Sequence, residues 1–451
     1  MTKPTLTNNQ KRILRKSSRQ AVSESFNQLR GHVVHNRWLG LRNRYSANAV
    51  NTLRRDLAPG GTVNSRHLAQ YIASSAPVHC TDGWTYLGRS INCHARGDSQ
   101  TALHLAYYAE LRAAMSLLAS EGVGIFSRHH VIVDEQSHCQ KIPNPQGTHV
   151  ITWLALEHWA DLKRSSELLT AIIIPGNLPL SDWLDQFGAS VTTGLVTSQT
   201  LKGWGLDLKH LSEDREARNA ASYRPDRLIT RTNVDANTAS EFLRNFWGLF
   251  EPLPASRFEI LDRHLLRATL EQTYEAITGR PVSADQVGFE SRLDQMLSGL
   301  SPSGLSMSEW KQFLLRATAP ETPFVIEQAA LKASAGAPLH HVQVISRASL
   351  LLRVATGACN QLIHNAPFDS SQLQFWWSQI GRDLGIWDAA TPPVDLIDLW
   401  ADVESAIDEL QVWEDTNPSP TGSLADWWVQ LSTAASLLGT SERVGLWGLG
   451  F

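Results

Sequence analysis

Apolar residues recur at helical spacing along most of the chain, and alternation at a period of two is rare. The clearest run lies between Asp98 and Gly122. There Leu103, Tyr107, Leu111, Ala114 and Leu118 follow one another at steps of four, four, three and four, one face of a helix. Asp98 or Ser99 supplies an N-cap, Gly122 a stop, and the interior is rich in Ala and Leu. Similar patterning predicts helices over 8–30, 46–55, 67–75, 148–174, 213–222, 238–250, 258–279, 306–317, 342–362, 369–384, 395–413 and 423–438. The Pro-Gly-Gly run at 59–61 and the segment 418–422 read as loops, and Pro225 disfavours helix at Arg224 before it. The stretch 77–97 has no clear period, and 130–133 suggests one short strand. The pattern predicts an all-α protein without internal repeats.

Composition narrows the class. A chain of 451 residues can form two or three domains, each with a core. A basic helical arm is expected over 1–60, a helical domain over 61–230 and a Trp-rich helical domain over 231–451. Sixteen Trp stand against seven Tyr, so many indoles are expected at domain seams or half-buried surfaces, where the N–H finds a partner. No stretch reaches the ~18 apolar residues that span a bilayer, and the N-terminus lacks the apolar run of a secretory signal. Four cysteines, at 80, 93, 139 and 359, make no disulfide framework. A soluble protein of the reducing cytoplasm, without membrane contact, is the simplest expectation.

Charge is unevenly distributed. Residues 1–55 hold twelve Lys and Arg and one acidic residue, Glu24; subtracting that +11 from the net −4 leaves −15 for the remainder. Such an arm either docks on the acidic body or touches nucleic acid, and the charge count alone supplies no base-reading element, which favours docking. An Arg- and Ser-rich, acid-poor start also matches an organellar transit peptide, but here it runs straight into helical pattern.

Chemistry concentrates in the segment from Arg215 to Pro225, read Arg-Glu-Ala-Arg-Asn-Ala-Ala-Ser-Tyr-Arg-Pro. Arg215 and Arg218 are three apart and share a helix face. Two guanidiniums beside Asn219 and Ser222 suit a phosphate held in bidentate fashion, and a hydroxyl or imidazole alongside would move a proton. The alternative is a polar network of Arg215, Arg218, Asn219 and Glu110 or Glu216 that pins two helices.

Two segments resemble the HEPN superfamily of small helical domains. Tyr107-Tyr-Ala-Glu-Leu-Arg-Ala-Ala-Met-Ser-Leu-Leu-Ala-Ser-Glu-Gly122 is similar to the second-helix signature of that family, and Arg215–Pro225 is similar to its late helix. The resemblance spans at most residues 90–228. It implies a HEPN-like helical bundle with an additional helical C-terminal domain. It also implies metal-independent RNA cleavage by an Arg and a His four to six residues apart, in a bacterial defence (antiviral) or toxin–antitoxin setting and often across a homodimer. In this chain Tyr223 stands where active members carry His. A phenol with a reference pKa near 10 is a poor base at neutral pH, and members with Tyr there are regarded as binding or scaffolding proteins.

Other constellations are weaker. Arg30 and His35 match the same spacing, but Gly31 weakens a helix there. His79-Cys80, Cys93-His94 and His138-Cys139 carry zinc-type donors without knuckle spacing, so no metal is expected. No phosphate-binding glycine loop, His-Glu-x-x-His or Gly-x-Ser-x-Gly is present, and no cofactor is implied. Trp376-Trp377 and Trp427-Trp428 are expected to close a core or a partner interface, since their region is acidic. Two readings therefore stand. The first is recognition of RNA or a nucleotide, with Arg215, Arg218 and Tyr223 as catalytic candidates and Asn219 and Ser222 as substrate-binding candidates. The second is a non-catalytic interaction or scaffold subunit that binds a partner protein through the Trp-rich C-terminal half.

Overall fold

The computed structural model describes residues 4–188, 197–223, 234–253, 256–332, 340–366, 368–388, 391–417 and 424–449, with the side chains of 220–223, 370 and 425 outside that description. Helices dominate, with one small sheet, so the all-α class holds. Nine helices matter below: α1 (Ser65–Ala95), α2 (Ser99–Ser120), α3 (Thr148–Ala160), α4 (His210–Tyr223), α5 (Ala236–Phe250), α6 (Glu259–Thr278), α7 (His340–His364), α8 (Leu399–Thr416) and α9 (Glu442–Gly448). Among the described residues none is long and apolar enough to cross a membrane.

α2 forms as its pattern predicts. Asp98 caps it by accepting the Thr101 amide, the five apolar residues of the predicted face are buried, and Gly122 takes the left-handed conformation (φ 85°) after its end. α1 runs through the stretch without clear period. Leu68, Ile72, Ala76, Cys80, Trp84, Leu87, Ile91 and Ala95 are all buried, at steps of four broken once by three. Pro77 interrupts the signal because it has no N–H to bond the Ala73 carbonyl. Packing on α2 and α7 sustains the helix across it.

Every residue of α7 from His340 to Cys359 is buried. A helix enclosed on all sides must neutralise any charge it carries. Arg347 accordingly forms a two-pronged contact with Asp214 of α4, Nε to Oδ2 at 2.8 Å and Nη2 to Oδ1 at 2.7 Å. Arg353 does the same with Asp262 of α6, at 2.9 and 2.7 Å. Trp84 of α1 donates to Thr356 of α7 at 2.9 Å. α9 packs on α1, where Gly445 stands against Trp84; a Cβ there would lie 2.7 Å from the indole Cδ1.

The packing thus crosses the boundary expected near 231, and one apolar core extends from Leu6 to Leu449. Segment 228–233 itself lies outside the described residues. The basic arm belongs to the same core: Ile13, Val22, Phe26 and Leu29 are buried, and Arg19 pairs with Glu121 at 2.7 Å.

Three expected long helices are divided. Residues 8–30 form Asn8–Leu14, Arg19–Asn27 and the start of a short turn, because Ser18 caps a new helix on the Ala21 amide. Residues 148–174 break at Asp161 and Leu162, and 423–438 at Leu431. The expected strand is Val131–Val133; it pairs antiparallel with Val123–Gly124 on one side and Cys139–Lys141 on the other.

Candidate functional site

α4 packs against α2 and α3, and brings Arg218 to a group of aromatic rings. Asp214 fixes its position one turn earlier, through Arg347. The guanidinium of Arg218 stands 5.1 and 5.0 Å from the ring centres of Tyr107 and Tyr108, within cation–π range. Its Nη2 donates to the Tyr108 hydroxyl at 3.0 Å and reaches His149 Nε2 at 3.4 Å; Nη1 donates to Asn219 Oδ1 at 2.9 Å. Arg218 is 8% exposed, whereas Tyr108, His104 and His149 are half-buried.

His149 lies in the first turn of α3, with Nδ1 2.9 Å from the Tyr107 hydroxyl. A guanidinium only donates, so Nε2 accepts and the ring proton sits on Nδ1, toward Tyr107. Burial, then Arg218 and Arg215, lower the His149 pKa; burial and Arg218 do the same for His104. Both imidazoles are therefore neutral at pH 7 and able to take a proton. Burial raises the Tyr107 pKa, which keeps its phenol protonated. His104 and Tyr86 extend the group, their rings 5.1 and 5.5 Å from Tyr108.

The sequence-derived residues fare differently. Arg218 and its neighbour Asn219 are joined by a hydrogen bond. Arg215 is half-buried, with Nη2 3.8 Å from Glu216 Oε1. The Ser222 and Tyr223 side chains lie outside the described residues. Glu110, expected beside Arg215 or Arg218, is instead enclosed 3.8 Å from Arg347. Burial and the Asp214 charge raise its pKa well above the carboxylate range, while Arg347 and His340 overcome the effect of burial on Asp214 and hold that carboxyl low. Arg30 and His35 are both exposed. His149 was missed because it lies 69 positions from Arg218 on another helix, which no local spacing reports.

The Cys–His neighbours go separate ways. Cys80 meets Thr356, His79 accepts from Arg112, and His94 meets His341. Among the described residues no group of three or more His, Cys, Asp or Glu is placed to hold a metal. Trp376 and Trp427 are buried, and their neighbours Trp377 and Trp428 are half-buried. No Trp is among the exposed large apolar residues described.

Two roomier clefts lie elsewhere and share His264 and Pro323. One, of about 670 Å3, lies between α5, α6 and α8; the other, of about 540 Å3, borders α6. In the first, Arg244 Nη2 stands 3.4 Å from Glu414 Oε2; in the second, Arg267 donates to the carbonyls of Phe313, Ala319 and Glu321, and Arg316 grips Glu271 at 2.6 and 2.9 Å. The Arg218 group differs in setting an arginine, itself bonded to Tyr108 and Asn219, beside neutral imidazoles, with Arg215 near enough to lower the His149 pKa. Comparison with protein-family models, with curated proteins and with solved structures finds no match for this chain.

Proposed function

We propose that the Arg218 group recognises a phosphate of RNA or of a nucleotide, and that its chemistry suits metal-independent cleavage of a phosphodiester. The observation that carries this reading is the approach of the Arg218 guanidinium to the neutral imidazole of His149. In the unliganded arrangement the Nε2 lone pair faces that guanidinium. An anion that draws the guanidinium toward itself releases Nε2 as a base. Nε2 then takes the proton of a 2′-hydroxyl as its oxygen attacks phosphorus, and the 5′-oxygen leaves with a proton taken from solvent water, giving a 2′,3′-cyclic phosphate and a 5′-hydroxyl. Arg215 and Arg218 neutralise the charge that develops on the phosphoryl oxygens. In this scheme His149 supplies the imidazole that the Arg218–Tyr223 run lacks.

The HEPN resemblance supports RNA as the substrate and a defence or toxin–antitoxin setting. A second reading, the interaction subunit, is favoured by the burial of Arg218, which serves there as a rivet between α2, α3 and α4. The deciding experiment is RNA cleavage by purified protein in excess EDTA. The parent cleaves, and Arg218→Ala and His149→Ala each lose about 100-fold or more, while Tyr223→Phe retains activity. Loss in Tyr223→Phe with His149→Ala unaffected returns the proton transfer to Tyr223. A folded parent that neither cleaves nor binds RNA overturns the proposal and leaves the rivet.

A further inference from the structure

A cavity of about 310 Å3 lies at the other end of the α1–α2 pair, among residues of α1, α2, the first strand and the 47–50 segment. It lies at the small end of the ~300–1,000 Å3 typical of ligand sites, which suits a ligand of nucleoside size. Tyr71 and Phe126, with ring centres 5.7 Å apart, and Met115 offer faces for a flat ring. Asn48, Ser75 and His79 border the same space. Gly124 lets the first strand close tightly on this wall: a Cβ there would fall 2.6 Å from Phe126 Cε2 and 2.8 Å from Ile72 Cδ1.

A cation stands beside it. Arg112 of α2 donates from Nη1 to His79 Nδ1 at 2.9 Å, while its Nε is 3.7 Å from Asp82 Oδ2, a longer and weaker contact. Because a guanidinium only donates, His79 carries its proton on Nε2 and is a fixed donor for a ring nitrogen or carbonyl. Burial and Arg112 push the His79 pKa down to about 3, so this tautomer persists across the physiological range. Ser75 donates its hydroxyl proton to the Ile72 carbonyl at 2.7 Å and keeps lone pairs as acceptors. Aromatic faces, fixed edge groups and an adjacent half-buried guanidinium are what a heterocycle with an attached phosphate requires.

We infer that this cavity is a second ligand site, taking the base of a purine nucleoside monophosphate against Tyr71, Phe126 and Met115 and its phosphate at Arg112. The site does not depend on the function proposed for Arg218. Isothermal titration of the full chain with AMP, adenosine and inorganic phosphate tests it. AMP binds, adenosine binds about tenfold more weakly, the size of one charge-assisted contact, and phosphate alone gives no heat. Titrated in the Arg218→Ala background, where the other phosphate site is absent, AMP still binds, Arg112→Ala brings it down to the level of adenosine, and Ser75→Leu fills the cavity and removes both. Circular dichroism verifies that each variant is folded. Absence of binding by AMP and adenosine at millimolar concentration overturns the inference. So does AMP binding that survives Arg112→Ala and disappears in Arg218→Ala, which assigns the nucleotide to the other site.

Discussion

Asp214 and Arg347 meet through two short contacts, 2.8 and 2.7 Å, with neither side chain exposed to solvent. The pair joins α4, which carries Arg218, to the enclosed helix α7. Removing one partner leaves a buried charge without its counter-ion, at a cost of about 3–5 kcal/mol. We expect Arg347→Met and Asp214→Leu each to lower the unfolding free energy by that amount, read from urea denaturation. The double variant should lose less than either, since no lone charge remains. A double variant as unstable as the sum of the singles would show that the pair stabilises beyond its own neutralisation.

Thr356 accepts the indole N–H of the fully buried Trp84. Thr356→Val keeps the shape and removes the acceptor, so an unsatisfied buried donor should cost about 1–3 kcal/mol. Trp84→Phe made on top of Thr356→Val should then cost less than Trp84→Phe in the parent. Thermal denaturation of the four proteins measures the coupling.

Gly445 and Gly31 make a matched contrast. At Gly445 a methyl group would press on Trp84 Cδ1, Cγ and Cβ, whereas at Gly31 nothing lies within 4 Å. Gly445→Ala is expected to destabilise by about 1–3 kcal/mol through overpacking. Gly31→Ala, at an exposed helical position, should stabilise by up to ~1 kcal/mol. Equal effects at the two sites would contradict the close approach of α9 to α1.

Stability should fall with acid over a window set by buried imidazoles. Burial and then His340 push the His341 pKa down to about 4, from an ordinary value near 6.5. The unfolded chain therefore binds a proton that the folded chain refuses. This stabilisation is complete above pH ~6.5 and is lost as pH falls toward 4, at about 1.4 kcal/mol per unit. Glu110 runs the other way: its raised pKa stabilises the fold below the ordinary carboxylate value, and the gain is lost as pH rises through the raised one. Urea midpoints between pH 4 and 7 should follow the imidazoles, and His341→Gln should flatten the slope. An unchanged slope in that variant would place the acid sensitivity elsewhere.

How much of this was legible in the linear pattern depended on how local each cause was. The helix bearing Tyr107 and Tyr108 could be read because its apolar period, its cap at Asp98 and its stop at Gly122 all lie within one element. α1 was hidden by Pro77, which a lone helix would not tolerate and a packed one does. The meeting of Arg218 with Asn219 follows from adjacency, but His149 and Tyr108 come to it from other helices. The partner of Glu110 was misread for the same reason: Arg347 is more than two hundred positions away, and the nearer arginines were the natural choice. The Trp pairs of the C-terminal half were expected to close a core or a partner interface, but the composition could not say which indole meets which acceptor: Trp247 and Trp427 donate inward, to the Leu438 carbonyl and the Ser240 hydroxyl.

The enclosed helix α7 also sets an order of events during synthesis. α1 and α2 emerge from the ribosome more than two hundred residues before the helix that they enclose. Until residue 364 has been made, Cys80 and Ser116 lack the Thr356 and Cys359 side chains that they meet in the finished fold, and Glu110 lacks the arginine it lies beside there. A nascent chain halted near residue 230 is therefore expected to be a loose, protease-sensitive helical collapse rather than a finished domain. The Arg218 group, pinned through Asp214 to Arg347, cannot be set in place until Arg347 itself has left the ribosome, more than a hundred residues after Arg218.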